Sequence, residues 1–122
     1  MNKLSFVIPC YGSEATIEIV VAEIIETLKQ RPEYDYEIIL VNDCSPDNVW
    51  EHIRVLALNN HRITGINLAK NFGQPSALMA GYRMCTGDLI ISLDDDGQTP
   101  AKELFTLVDK IQEGWDVVYA SY

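Results

Sequence analysis

Short apolar runs alternate with stretches of helical periodicity along the whole chain. Five runs have the length and composition of β-strands: Leu4–Ile8, Glu37–Val41, Ile63–Leu68, Asp88–Leu93 and Val117–Tyr119. The clearest helical pattern between them places apolar residues three and four positions apart from Ile17 to Leu28. Strands that alternate with helices of this length predict a parallel sheet with right-handed crossovers. We therefore expect an α/β fold, a Rossmann-like parallel sheet with helices on both faces.

Capping residues predict where three of the helices begin. Ser13 is a candidate N-cap for the first helix. Ser45 before Pro46, and Thr99 before Pro100, each combine a capping residue with a proline suited to the first helical position. In the third helix the inward stripe consists mainly of small residues, which predicts close packing on the sheet: Ala77, Leu78, Gly81, Met84 and Cys85.

Polar segments follow the first four predicted strands at their carboxyl ends. These segments are Pro9–Gly12, Asn42–Ser45, Lys70–Gly73 and Asp94–Asp96. In open parallel sheets, ligands bind beyond the carboxyl ends of the strands, where the strand order reverses. The four segments together therefore predict a binding site at this edge of the sheet.

Three successive carboxylates, Asp94, Asp95 and Asp96, follow a wholly apolar run. Like charges this close repel by about 1–4 kcal/mol at a protein surface, so the placement favours a bound cation. On a strand, residues two apart share a face, so we expect Asp94 and Asp96 to point to one site and Asp95 to point away. With an amide oxygen from Gln98 they suit Mg²⁺ or Mn²⁺. The alternative is a solvated acidic turn that caps the next helix.

The remaining loops contain residues suited to a nucleotide. Pro9 and Tyr11 offer a rigid turn and a flat ring, which could stack on a base or simply pack over the strand ends. Asp43 could accept hydrogen bonds from a base or ribose, or could cap the following helix. Lys70 could contact a pyrophosphate, or be solvated. Without GxGxxG or a P-loop pattern, the first loop supports neither of those common sites.

Composition and charge narrow the class of protein. A length of 122 residues indicates one domain, and a net charge of −9 argues against nucleic acid or an anionic membrane surface as partner. Cys10, Cys44 and Cys85 lack metal-ligand spacing, so we expect free thiols in a reducing cytosol. Neither a signal peptide nor a run of the ~20 apolar residues of a membrane span is found. We expect a cytoplasmic location.

Four motifs, in order and spacing, resemble those of family 2 glycosyltransferases: Val7–Tyr11, Leu40–Ser45, Leu68–Gln74 and Leu93–Pro100. The chain is most similar to bacterial members that load sugars onto polyprenyl phosphate or build surface polysaccharide of the cell envelope. The resemblance implies that residues 1–122 are the N-terminal, nucleotide-sugar-binding half of a GT-A domain. Family members continue into an acceptor-binding half and often into membrane helices. We therefore expect a truncated chain whose missing part would supply any membrane association, at the inner face of the membrane.

The resemblance also implies roles for individual residues. Asp94 and Asp96 match the DxD pair that holds Mg²⁺ or Mn²⁺, with Gln98 nearby and Asp96 as the catalytic residue. The positions that match nucleotide-binding residues are Pro9, Tyr11, Glu14, Asp43, Lys70, Asp94 and Asp95. Two of these depart from the family pattern, because Glu14 stands one place later than the glutamate of many relatives and Lys70 often corresponds to arginine.

Such a protein would be an inverting glycosyltransferase that moves a sugar from a nucleotide diphosphate, by family preference UDP, to a polyprenyl phosphate or a saccharide. No residue suits the base that a saccharide acceptor needs, so we expect that base outside this chain.

Other functions remain open on the sequence. A catalytically incomplete nucleotide- and metal-binding module is the main alternative. A haloacid-dehalogenase-like phosphatase and a receiver domain fit less well, because their acidic residues follow the first strand. An unfinished sheet exposes a strand edge and apolar surface, so we also expect homo-oligomers.

Overall fold

A computed structural model of the protein describes residues 2–96, 106, 108 and 117–119. In chain order its elements are β1 Asn2–Cys10, α1 Ile17–Leu28, β2 Tyr34–Asn42, α2 Val49–Asn59, β3 Ile63–Asn67, α3 Gln74–Met84, β4 Leu89–Ser92 and β5 Val117–Tyr119. The five predicted strands are therefore confirmed, with ends that differ by a few residues. The first two are longer than predicted because pairing with each other extends them: Asn2 lies opposite Tyr34, and Cys10 opposite Asn42.

Strand β1 lies at the centre of the sheet. All neighbouring strands are parallel, in the order β3-β2-β1-β4-β5. The chain moves outward from β1 to β3 and then returns to the other side of β1. The strand order therefore reverses between β1 and β4, which opens a crevice at their carboxyl ends. The predicted Rossmann-like parallel sheet is confirmed.

Helices cover both faces of this sheet, as predicted. On one face α1 and α2 pack on the alternating residues Leu4, Phe6 and Ile8 of β1. Each apolar side chain of this size that is fully buried stabilises the fold by roughly 1.5–3 kcal/mol. Helix α1 buries most of the predicted apolar stripe: Ile17, Val20, Val21, Ile24 and Leu28.

Helix α3 packs on the opposite face through small residues. Ala77 is fully buried there with Val7 and Val41. A Cβ atom built on Gly81 would lie 2.4 Å from a Val7 methyl carbon, so only glycine permits this approach. The predicted close packing is confirmed, but the predicted inward position of Met84 is wrong, since half of its surface is exposed.

Two predicted N-caps are wrong. Helix α1 begins at Ile17, and Ser13 contributes its carbonyl oxygen to the first turn while its hydroxyl, buried, makes no hydrogen bond to a described residue. Helix α2 begins at Val49 rather than at Pro46, because the Ser45 hydroxyl donates to Asp47 instead of capping. The predicted start at Thr99–Pro100 lies outside the described residues.

Candidate functional site

A cavity of about 310 Å³ lies at the carboxyl edge of the sheet, where β1 and β4 diverge. Its size falls at the small end of the range for ligand pockets. All four predicted loop segments border it or lie next to it. The lining residues are Pro9, Cys10, Tyr11, Asp43, Asn71, Gly73, Gln74, Asp94 and Asp95.

Tyr11 is fixed at the backbone and open at the side chain. Its N–H donates to the Asp95 carboxylate at 2.8 Å, and the Thr16 hydroxyl donates to the Asp95 carbonyl oxygen at 2.8 Å. The loop after β1 and the turn after β4 are thereby joined across the crevice. The Tyr11 side chain remains 53% exposed at the mouth of the cavity, where its ring is accessible to a flat ligand.

Asp43 is a buried carboxylate in the wall of the cavity, only 4% exposed. Its N–H donates to the carbonyl of Cys10, and its Oδ1 accepts from the N–H of Phe72 at 3.1 Å. Asp43 therefore links the loop after β2 to the end of β1 and to the loop before α3. The alternative that Asp43 caps the following helix is wrong, since α2 begins six residues later, at Val49.

The acidic cluster differs from its prediction. Strand β4 ends at Ser92, so Asp94 follows the strand, and Asp95 and Asp96 form a turn. Asp94 and Asp95 both line the cavity, whereas Asp96 is exposed beside it. The expectation that Asp95 points away is therefore wrong, because strand alternation does not apply beyond Ser92. Gln98 lies outside the described residues.

Glu14 and Lys70 are not part of the cavity wall. The Glu14 carboxylate accepts from the N–H of Asn48 at 3.0 Å and lies 3.7 Å from the His52 ring. A hydrogen bond with Glu18, and the nearby charge of Glu14, raise the pKa of His52. Lys70 is exposed in the loop between β3 and α3. The nucleotide contacts predicted for these two residues have no support from the cavity.

Several lining residues lie in the predicted segments but were assigned no role of their own: Cys10, Asn71, Gly73 and Gln74. Gly73 has a φ of +92°, a conformation that glycine adopts readily, and its N–H donates to the Asn71 side chain at 3.0 Å. This turn directs Asn71 and Gln74 to the cavity. The spacing of Asn71 and Gly73 in the sequence was the signal that could have indicated this turn. Cys10 lines the same wall, and burial raises the pKa of its thiol, so it remains protonated and is no nucleophile.

No ion site formed by three or more His, Cys, Asp or Glu side chains is present among the described residues. The three cysteines are unpaired, as predicted. Within the same part of the chain, no helix is both long and apolar enough to cross a membrane.

Comparison with protein families identifies the family of the chain that forms this crevice. The model named Glycosyl transferase family 2 matches residues 5–122. This chain belongs to glycosyltransferase family 2. The predicted relationship is thus confirmed, and it excludes the phosphatase and receiver alternatives.

Individual proteins with similar sequences are also known for this glycosyltransferase chain. It is 41% identical over 119 residues to an undecaprenyl-phosphate 4-deoxy-4-formamido-L-arabinose transferase of Proteus mirabilis, a match that covers 97% of this chain and 36% of the relative. The chain therefore spans about a third of that relative's length.

Solved structures agree on the fold. A mannosyltransferase of Pyrobaculum calidifontis in complex with GDP-Man and Mn²⁺ matches with a TM-score of 0.75 at 22% identity, over 89% of this chain and 32% of that one. S. aureus TarS (residues 1–349), in complex with UDP-GlcNAc, matches with a TM-score of 0.68 at 21% identity, over 91% and 31%. The glycosyltransferase chain has the fold of the N-terminal half of a GT-A domain.

Proposed function

We propose that residues 1–122 are the nucleotide-sugar-binding part of an inverting, metal-dependent glycosyltransferase. The observation that supports this most directly is the cavity at the strand-order reversal, which is lined by Tyr11, Asp43 and Asp94 in a family 2 chain. In this proposal the cavity binds the nucleoside diphosphate of the donor.

Tyr11 and Asp43 would bind the nucleoside. The exposed Tyr11 ring can stack on a base, and Pro9 restricts the backbone that carries it. Asp43 uses Oδ1 for the N–H of Phe72, so Oδ2 can accept from a base imide or a ribose hydroxyl. Uridine is the base favoured by the family resemblance, and UDP-GlcNAc is bound by one structural neighbour.

The acidic character of this wall supports a divalent cation as part of the donor site. Among the described residues, the cavity wall has three carboxylates, Asp43, Asp94 and Asp95, and no lysine or arginine. Such a wall would repel a diphosphate unless a cation intervened. Asp94 and Asp96, with Gln98, would hold Mg²⁺ or Mn²⁺ through hard oxygen ligands. Bound there, the ion would supply Lewis-acid stabilisation of the leaving diphosphate.

The transfer would proceed by displacement at the anomeric carbon. An acceptor oxygen attacks from the side opposite to the diphosphate, the bond from the carbon to the diphosphate oxygen breaks with its electron pair, and the configuration inverts. Asp96 would contribute to catalysis by holding the ion, which would stabilise the charge that develops on the leaving diphosphate.

The proposed acceptor is a polyprenyl phosphate or a saccharide. A phosphate oxygen is already anionic and needs no base, which suits a site whose own carboxylates are engaged. Undecaprenyl phosphate is named in the function of the Proteus mirabilis relative, which supports the first choice. The chain spans about a third of that relative's length.

Thermal unfolding with UDP, GDP or inorganic phosphate, each with and without Mn²⁺, tests donor binding. A ligand at a hundred times its Kd adds about 2.7 kcal/mol, or several degrees for a domain of this size. We expect stabilisation by UDP that requires Mn²⁺ and is lost in Asp96→Asn. Asp35→Asn is the matched control, an exposed aspartate outside the cavity wall. Equal stabilisation by all three ligands, or none, would contradict the proposal.

A module that binds the donor without transferring its sugar is the second candidate. It is favoured because the described residues contain no group of three or more His, Cys, Asp or Glu side chains that could hold a metal ion. Donor hydrolysis, measured as UDP release, separates the two. UDP release in the presence of Mn²⁺ supports a working catalytic centre. Binding without release supports the module.

A further inference from the structure

Hydrogen bonds connect the loop after β1 to the loop after β2, both at the cavity. The residues that make these bonds are not among the proposed ligand contacts. The Ser45 hydroxyl accepts from the N–H of Gly12 at 2.8 Å and donates to Asp47 Oδ1 at 2.6 Å. The second Asp47 oxygen, Oδ2, accepts from the N–H of Glu14 at 3.0 Å. Ser45 and Asp47, here called the loop clasp, thus connect the loop after β2 to the loop after β1.

The loop clasp acts on the backbone beside Tyr11. Gly12, directly after Tyr11, has a φ of +71°, a left-handed conformation that glycine adopts readily. The N–H of Tyr11 is held by Asp95 and that of Gly12 by Ser45. Because the Tyr11 side chain is half exposed, packing restrains it weakly. These two hydrogen bonds therefore restrain the backbone from which the ring projects.

Asp47 is suited to this task as an anion. Its carboxylate accepts three hydrogen bonds, from Ser45, Glu14 and the N–H of Val49 at 3.2 Å. Burial raises the pKa of Asp47, but the hydrogen bonds outweigh burial and leave it below its usual value. An asparagine at this position would turn an N–H₂ group toward one of these donors.

We propose that Ser45 and Asp47 are positioning residues of the nucleotide site, which hold the Tyr11–Gly12 backbone so that the Tyr11 ring is preorganised to stack on a base. The inference rests on the proposed function and assigns neither residue a contact with the ligand. Preorganisation raises affinity because binding no longer has to order the loop.

Asp47 also contacts the first turn of α2, so a purely structural role must be separated from positioning. Ser45 allows this, because among the described residues its hydroxyl bonds Gly12 and Asp47 and makes no hydrogen bond to α2. Ser5 supplies a matched control elsewhere. Its hydroxyl donates to Glu37 at 2.6 Å and accepts from the N–H of Gly87 at 2.8 Å, outside the cavity wall.

The test is the Kd of UDP and of inorganic pyrophosphate, measured by calorimetry with Mn²⁺, with GDP in place of UDP if the wild type prefers it. We expect Ser45→Ala to weaken UDP about fivefold, the equivalent of one ordinary hydrogen bond, and to leave pyrophosphate unchanged because it has no base. Asp47→Asn should act in the same way. Ser5→Ala should change neither Kd, and Ser45→Thr, which keeps the hydroxyl, should restore UDP binding.

The failures are distinguishable. If Ser45→Ala and Asp47→Asn bind UDP like the wild type, or lose UDP and pyrophosphate equally, the loop clasp does not position Tyr11, while the proposed function stands. If the wild type binds neither UDP nor GDP, the proposed function fails and this inference fails with it.

Discussion

The N–H of Tyr11 donates a hydrogen bond of 2.8 Å to the carboxylate of Asp95, across a sequence separation of 84 residues. This contact closes the crevice between β1 and β4 on one side. It also gives the Asp95 carboxylate a hydrogen-bond donor at the cavity wall. The two most informative sequence motifs of the chain are thereby parts of one site.

Replacing Asp95 should loosen this connection. We expect Asp95→Ala to lower the free energy of unfolding by about 1 kcal/mol. The substitution removes the acceptor of a partly exposed hydrogen bond and leaves its donor, the N–H of Tyr11, in place. Urea denaturation measures the change, with Asp35→Ala, which breaks an exposed ion pair with Arg62, as the control. A smaller loss in Asp95→Ala than in the control would contradict the role of the Tyr11–Asp95 contact.

Gly81 should not tolerate a methyl group. Alanine gains about 1 kcal/mol of helix propensity over glycine, but overpacking costs roughly 1–3 kcal/mol in a filled core. With a Val7 methyl carbon 2.4 Å from the new Cβ, we expect overpacking to dominate and Gly81→Ala to destabilise the fold. Ser76→Ala on the exposed side of α3 is the control and should be near neutral. Stabilisation by Gly81→Ala in urea denaturation would show that α3 packs less closely.

Glu37 should make stability depend on acid pH. Burial raises the pKa of Glu37, but hydrogen bonds from Ser5 and from the N–H of Thr86 leave it lower than usual. A depressed pKa contributes stability above the unfolded-state value, near 4.5, and loses it as pH falls through the folded-state value. We expect Glu37→Gln to have a lower Tm than the wild type at pH 7. The difference in Tm between the two proteins should become smaller toward pH 3. A Tm difference that is constant with pH would contradict this.

The surface of α3 should promote self-association. Phe72, Met79 and Met84 are each at least half exposed on or beside this helix. We expect light scattering to show a fraction of dimer that increases with protein concentration. Met79→Lys should shift the population to monomer. A monodisperse monomer at every concentration would show that this surface and the strand edges do not associate.

The fold was largely predictable because its signals are local. The apolar spacing from Ile17 to Leu28 encodes a helix directly, and the alternation of apolar runs with helices leaves few topologies. Gly81 was recognisable as a packing residue for the same reason. Met84 was not, because its exposure depends on what covers the end of α3 rather than on its helical position.

The site was only partly predictable because its details depend on contacts between loops. Asp43 and Tyr11 lie where the strand ends predicted them. Asp95 was placed in the wrong direction, since the end of β4 at Ser92 cannot be read from an apolar run. The helix start at Ser45 was wrong for a similar reason, because a neighbouring carboxylate, Asp47, competes for the hydroxyl.

The most direct test of the account uses Mn²⁺ as a paramagnetic probe in amide NMR spectra of the protein. With UDP present, we predict that substoichiometric Mn²⁺ broadens the signals of Tyr11, Asp94 and Asp96 first, and that Asp96→Asn abolishes this broadening. Broadening that is equally strong in Asp96→Asn, or that is centred on acidic residues away from the cavity, would contradict a metal-dependent nucleotide site at the carboxyl ends of β1 and β4.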